Sequence, residues 1–304
     1  MIETSESYEE SKEINRLHYF LSGTSDLYLF NLSTNLGEKI SLLSLGEDKR
    51  IKGIPYHYDS IEVDSRIYLI GGQVGQYDII YLATTFTYNP ITQSLIPKSS
   101  MKHEKRHHTI ISLKEISKNY IFSIGGENSH GYIRYCEKYD IETDEWTQIP
   151  SLKERKGKLS VCQFNNQFLY AFGGMSADFL ETIEHYDTQS TNGWSKLIPI
   201  DKALWTNRCG SISLQFDEDN IIVFGGKDIR TKNEVFLFNV KEAKFEMLEK
   251  MKIADYFCTR KPFVEGGVIY SIGLIGNDIH MFHKDALHWE TIERKTWHPT
   301  QYSQ

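Results

Sequence analysis

A short apolar run ending in glycine recurs along the chain, and this recurrence limits the fold more than any other feature of the sequence. The runs end at Gly23, Gly72, Gly126, Gly174, Gly226 and Leu274, in steps of 49, 54, 48, 52 and 48 residues. Four of them close on a glycine pair: Gly71 with Gly72, Gly125 with Gly126, Gly173 with Gly174, and Gly225 with Gly226. The first keeps Gly23 alone, and the last keeps Gly273 before a leucine. A period near 50 residues marks an architecture built by repetition, in which each unit covers the apolar face of its neighbour. The runs are apolar at almost every position, as strands are when both faces are buried.

A second marker follows each glycine. An aromatic residue opens a turn, and a bulky residue follows seven or eight positions later: Tyr139 and Trp146, Tyr186 and Trp194, Phe238 and Phe245, Phe282 and Trp289. The second repeat has Tyr88 with Leu95, and the first has Phe30 without a second aromatic. Segments such as the one from Tyr139 to Trp146, rich in Asp and Thr, are turn chemistry joining antiparallel strands. The aromatic pairs supply large side chains for the wedge between neighbouring sheets.

This combination resembles the kelch repeat, and the resemblance covers about residues 17–293. It implies an all-β fold, a six-bladed β-propeller of four-stranded antiparallel blades. The blades are expected at 17–45, 54–97, 109–149, 159–198, 210–248 and 259–293. Blade one then begins at its second strand, and an unfilled edge is a pairing hazard. The expected donor of its innermost strand is the closing segment 294–304. Residues 1–16, with five glutamates against one lysine and one arginine, are expected to be a disordered acidic tail.

Charge and motifs narrow the chemistry. Lys and Arg number 34 against 41 Asp and Glu, a formal net charge of −7. Such a chain is a poor bulk binder of nucleic acid or anionic membrane, which need clustered cations. No secretory leader or long apolar span is evident and the cysteines form no Cys-x-x-Cys pair, so a cytoplasmic protein is expected. By analogy with the family, its setting is expected to be cytoskeletal. No phosphate-binding Gly-Lys-Ser/Thr loop or Gly-x-Ser-x-Gly elbow occurs. The expectation is therefore a non-enzyme with no cofactor and no metal. The alternative is a kelch-type enzyme acting on a carbohydrate or another small molecule in the axial pocket. The histidine-rich segment 102–108 reads as a solvated basic loop, because loop spacing alone does not aim three imidazoles at one ion.

The loops joining one blade to the next carry the most specific signal. They hold Arg50, Arg106, Arg155, Arg208 and Tyr256, with His108 in the second of them. Arg106, Arg155 and Arg208 lie 19, 18 and 17 residues before the first glycine of their blades. That spacing predicts a ring of guanidinium groups near one mouth of the channel, suited to carboxylates by paired hydrogen bonds. Loops within the blades share that face and add Tyr77, His130, Tyr132 and Arg230 as candidate contacts. The expected function is a protein-protein interaction module or scaffold: a monomeric propeller in a larger hetero-complex, whose protein partner carries an acidic segment. The family's ubiquitin-ligase receptors carry an adaptor-binding domain, and 16 residues before blade one cannot make one, so a free-standing propeller is expected.

Overall fold

The structure is a computed structural model; it describes residues 16–31, 36–43, 49–115, 117–200, 204–257, 261–275 and 278–292. The described residues form strands and turns and no helix. Five four-stranded antiparallel sheets follow one another, each in simple sequential order. The first comprises Asp59–Val63, Arg66–Ile70, Thr85–Asn89 and Ser94–Lys98. The next three run from Thr109 to Ile149, from Ser160 to Leu197, and from Ile212 to Met247. The last comprises Phe263–Glu265, Val268–Ile272, Ile279–His283 and His288–Ile292. A three-stranded sheet of Arg16–Leu21, Asp26–Asn31 and Leu36–Ser41 precedes them. These sheets are called blades one to six in chain order, and the strands of a full blade a to d.

The chain is thus a β-propeller with four-stranded antiparallel blades, and blade one shows three strands among the described residues. Its first strand runs into Gly23 as strand b of blade two runs into Gly71. It stands in the place of a second strand. The acidic segment up to residue 15 and the closing segment 294–304 lie outside the described residues.

Both sequence markers have a visible physical role. Tyr88 pairs across the strands with Leu95, Tyr139 with Trp146, Phe238 with Phe245, and Phe282 with Trp289. The last three pairs have ring centroids 5.0, 4.8 and 4.8 Å apart. The seven-residue spacing is set by the turn between them. Gln93, Asp144, Ala243 and Leu287, each five residues after the first member of its pair, adopt left-handed φ of 46–56°. Just after that member, Asn89, Asp140 and Asn239 accept backbone N–H bonds from the turn, the local bonding that favours these residues there. Blade four inserts one residue and places Gly193 at φ 70°, which gives the eight-residue spacing.

The glycine pair is demanded by close approach. At Gly72, Gly126, Gly174 and Gly226, φ lies between 93° and 116°, where side chains are strained. A Cβ there would meet the carbonyl oxygen of Tyr56, Arg106, Gly157 or Cys209 at 2.7–3.0 Å. Blade six needs one glycine only. Gly273 has an ordinary φ, but a Cβ on it would fall 1.7 Å from Asp255 Oδ2.

The core is a succession of joints between blades. Leu113, Phe122 and Ile124 of blade three meet Val161, Leu169 and Trp194 of blade four. Phe172 and Trp205 meet Phe236, Phe238 and Phe245 of blade five. Between blades six and one, Ile272 and Ile279 are buried, with Tyr28 of blade one packed against them. The inner strands surround an axial cavity of about 280 Å³, lined by Ser60, Ser112, Cys162, Ser213 and Phe263.

Candidate functional site

The loops between blades and the loops within blades meet at one end of the propeller and are stitched together by backbone bridges. Tyr56 bridges to Gln73, Arg106 to Glu127, Gly157 to Met175, and Cys209 to Lys227. These bridges set the true equivalence of the repeats: Tyr56, Arg106, Gly157 and Cys209 occupy one position. Tyr256 takes the matching place in blade six, where its carbonyl accepts Leu274 N–H at 3.0 Å. One residue later, His57, His107, Lys158, Gly210 and Phe257 form an arc around the channel mouth. Each N–H after the first donates to the carbonyl of the preceding member at 2.7–3.1 Å.

This register corrects the predicted guanidinium ring. Arg106, Arg155 and Arg208 are not equivalent, because the inner hairpin of blade three, Thr109–Ile124, is three residues longer than Ser160–Phe172 of blade four and Ile212–Phe224 of blade five. Arg106 alone stands at the bridge position, and it is engaged there. Its guanidinium holds Glu127 at 2.8 Å, donates to Gln73 Oε1, and lies 5.2 Å from the Tyr81 ring centroid. Arg208 is 1% exposed. It sits over Trp205 and Phe236, 4.5 and 5.0 Å from their centroids, and donates to the Gly225 carbonyl. Burial lowers its pKa to about 10. It is a packing residue closed to a partner. Arg155 is exposed on the outer shoulder of the loop, three residues before Lys158.

Segment 102–108 differs from the solvated loop expected. Lys105 is fully buried and pairs with Glu137 at 2.9 Å. His103 stacks on Tyr135 and His107 packs at a tilt against His57, with centroids 4.4 and 4.0 Å apart. His108 is 1% exposed and neither ring nitrogen has a hydrogen-bond partner. It too is closed to a partner. The three imidazoles face different surroundings, and among the described residues no group of three His, Cys, Asp or Glu is placed to hold a metal ion.

The buried pair has counterparts that sequence spacing did not reveal. Lys156 pairs with Glu184 at 2.8 Å, both side chains fully buried. Glu137 also accepts the Lys102 N–H, and Glu184 the Lys153 N–H. Arg208 over Phe236 takes the same place in blade five. In blade six an acid takes the loop position: Asp255 Oδ2 lies 3.3 Å from His280 Nε2. Asp255 Oδ1 accepts the N–H groups of Tyr256, Leu274 and Ile275. The signal lies one residue before the bridge position, and it emerges only when loops are aligned on their bonds.

At the mouth, His57 is exposed and rests on His107, which is 8% exposed. Lost hydration, then the charges of Arg106 and Lys158, hold His57 down to about 4. Burial, then His57 and Lys158, hold His107 down to about 2. Both are neutral at neutral pH. In the axial cavity burial pushes the Cys162 thiol up to about 12, so it is no thiolate. Asp59, buried and joined to Lys261 at 2.5 Å and to Ile110 N–H at 2.7 Å, is raised to about 6, chiefly by desolvation.

The remaining candidates are accessible to differing degrees. Tyr77 is 96% exposed on its hairpin, and Ile229, which the sequence did not single out, is 94% exposed beside Arg230. His130 and Arg230 are exposed, and Tyr132 is half-buried. Tyr256 lies under Lys227, its centroid 4.9 Å from the ammonium nitrogen. Arg50, exposed, borders a hollow with Lys52, Tyr56 and Gln76.

Residues 59–260 match the family model described as the KLHDC2/KLHL20/DRC7 Kelch-repeats domain. The chain belongs to the kelch-repeat family. Among its relatives, Kelch-like protein 35 of Mus musculus is 26% identical over 172 residues, 56% of this chain and 27% of the relative. Kelch-like protein 7 of Rattus norvegicus is 27% identical over 114 residues, 37% of this chain and 18% of that protein. Kelch repeat and BTB domain-containing protein 2 of Ectromelia virus (strain Moscow) is 24% identical over 136 residues, covering 45% of this chain and 22% of the relative. The chain covers less than a third of each of these relatives.

Proposed function

We propose that this kelch chain is a non-catalytic protein-interaction module, a scaffold subunit of a larger assembly, that binds its partner through the stitched loop face. Its partner carries an acidic segment, and its setting is an intracellular, cytoplasmic complex, cytoskeletal by analogy alone. The three-stranded sheet is a sixth blade, and the closing segment 294–304 supplies its inner strand. The contact of Tyr28 with the Ile272 cluster supports placing the three-stranded sheet beside blade six.

The observation that carries the reading is the loop face itself. Two sets of loops are bonded into one surface by repeated bridges, and Tyr77 and Ile229 project from it almost fully exposed. Rigid scaffolds that present projecting aromatic and aliphatic anchors are built for partner contact. The test is capture of the partner from native extract by the full chain. Tyr77→Ser with Ile229→Ser should lower capture about tenfold or more. Ile91→Ser, at an 88% exposed residue on the strand c–d turn of the opposite face, should leave it unchanged. The reverse pattern would refute the assignment of face.

A further inference from the structure

We infer that the acidic segment of the partner lies on the shoulder of blade three, against Lys102, Arg134, Lys153 and Arg155, and not in the axial mouth. This rests on the proposed loop-face function and locates its electrostatic contact.

All four side chains are exposed, and among the described residues none of them makes an ion pair. The loops bring them together. Leu152 N–H donates to the Arg134 carbonyl at 3.0 Å, which sets Lys153 beside Arg134. Lys102 N–H donates to Glu137 at 2.5 Å, and the next residue, His103, stacks on Tyr135 at 4.4 Å, which sets Lys102 beside the other flank. The carboxylates below are already neutralised: Glu137 by Lys105, Glu184 by Lys156, and Glu154 by Lys196. Glu104, exposed, is the acidic residue left within these loops.

The surroundings favour a protein carboxylate as the occupant. A local excess of cations on a chain of net charge −7 gathers an acidic partner and orients it. The two guanidinium groups offer paired donors to carboxylates. Tyr135, 37% exposed with His103 against it, gives a flat neighbour for an apolar residue within the acidic segment. The patch is preformed, because Met101 and Leu152 anchor the loops at 4% and 1% exposure, and little ordering is needed on binding. The axial mouth is the weaker site. Arg106 is occupied by Glu127 and Arg208 is buried, which leaves Lys158 beside neutral histidines and Lys227 held over the Tyr256 ring.

The experiment uses the full chain and a fluorescein-labelled octaglutamate peptide carrying one photoreactive residue. Binding is read by anisotropy at low and moderate salt, and the cross-linked site by mass spectrometry. The expected result is cross-linking at blade three and a salt-sensitive affinity. That affinity should fall by at least about tenfold in Lys102→Glu/Arg134→Glu/Lys153→Glu/Arg155→Glu. Should that variant not fold, Arg134→Ala/Arg155→Ala keeps the test open and should weaken binding severalfold. Lys158→Gln should leave binding intact. Cross-linking at the axial mouth, with binding lost in Lys158→Gln, would overturn this inference and leave the loop-face function standing. Cross-linking at the opposite face would overturn both. Tighter binding of a single-stranded dodecathymidylate than of the peptide would overturn the choice of a protein partner.

Discussion

The joint between blades three and four and the joint between blades six and one occupy equivalent places and are built differently. The first buries Trp194, Phe122, Leu169 and Val161 and stands above a sealed Lys156–Glu184 pair. Among the described residues the second buries Ile272 and Ile279, with Tyr28 and Tyr270 only partly covered. In blade six the loop position holds an acid, Asp255, and its partner on the strand is a histidine, His280. Repetition fixes where a joint falls. The side chains placed there decide how strongly each joint holds and by which chemistry the adjoining loop is fastened.

Four tests probe this contrast, ordered by the largest effect in each; the first pairs two substitutions. Trp194→Ala empties a fully buried position in the joint between blades three and four and should cost about 3–5 kcal/mol in chemical denaturation. Tyr28→Ala, at a partly buried position in the joint between blades six and one, should cost less than about 2 kcal/mol, and equal costs would erase the contrast. Lys156→Met leaves the Glu184 charge buried and unpaired, at a cost of about 3 kcal/mol or more. Adding Glu184→Leu should recover most of that loss; a double variant as unstable as the single would show that the pair itself holds the loop.

Gly273→Ala drives a methyl into Asp255. A loss of about 1–3 kcal/mol is expected, shrinking clearly in an Asp255→Ala background because the two sites are coupled. Additive losses would refute the contact. The smallest effect is a pH dependence. His57 and His107 hold fewer protons folded than unfolded, since their pKa values fall from 6.5 to about 4 and about 2. Their stabilising share is therefore complete above pH 6.5 and declines as pH falls below it. His57→Gln with His107→Gln should flatten the thermal stability profile between pH 6.5 and 4. An unchanged slope would mean the imidazoles titrate normally.

Much of the fold was legible in the sequence. The glycine pairs and the spaced aromatics are fixed by backbone contact and turn geometry, which repeat in every blade and leave a periodic trace. The site was less legible. Counting residues back from a glycine assumes equal inner hairpins, but the hairpin of blade three is longer, so Lys105 lies 20 residues before Gly125, and Lys156 and Arg208 lie 17 before theirs. That slip placed Arg208 on the rim when it belongs with the buried lysines. The burial of His108 and the Asp255–His280 contact in blade six depend on contacts between distant residues and leave no local pattern.

Cross-linking of the captured partner, mapped lysine by lysine, tests most directly whether recognition belongs to the loop face. Lys102, Lys153, Lys158 and Lys227 lie in loops of that face; Lys118, Lys241 and Lys284 lie at the turns of the opposite one. The expected result is cross-links concentrated on the first set. Cross-links concentrated on the second set would contradict the assignment outright.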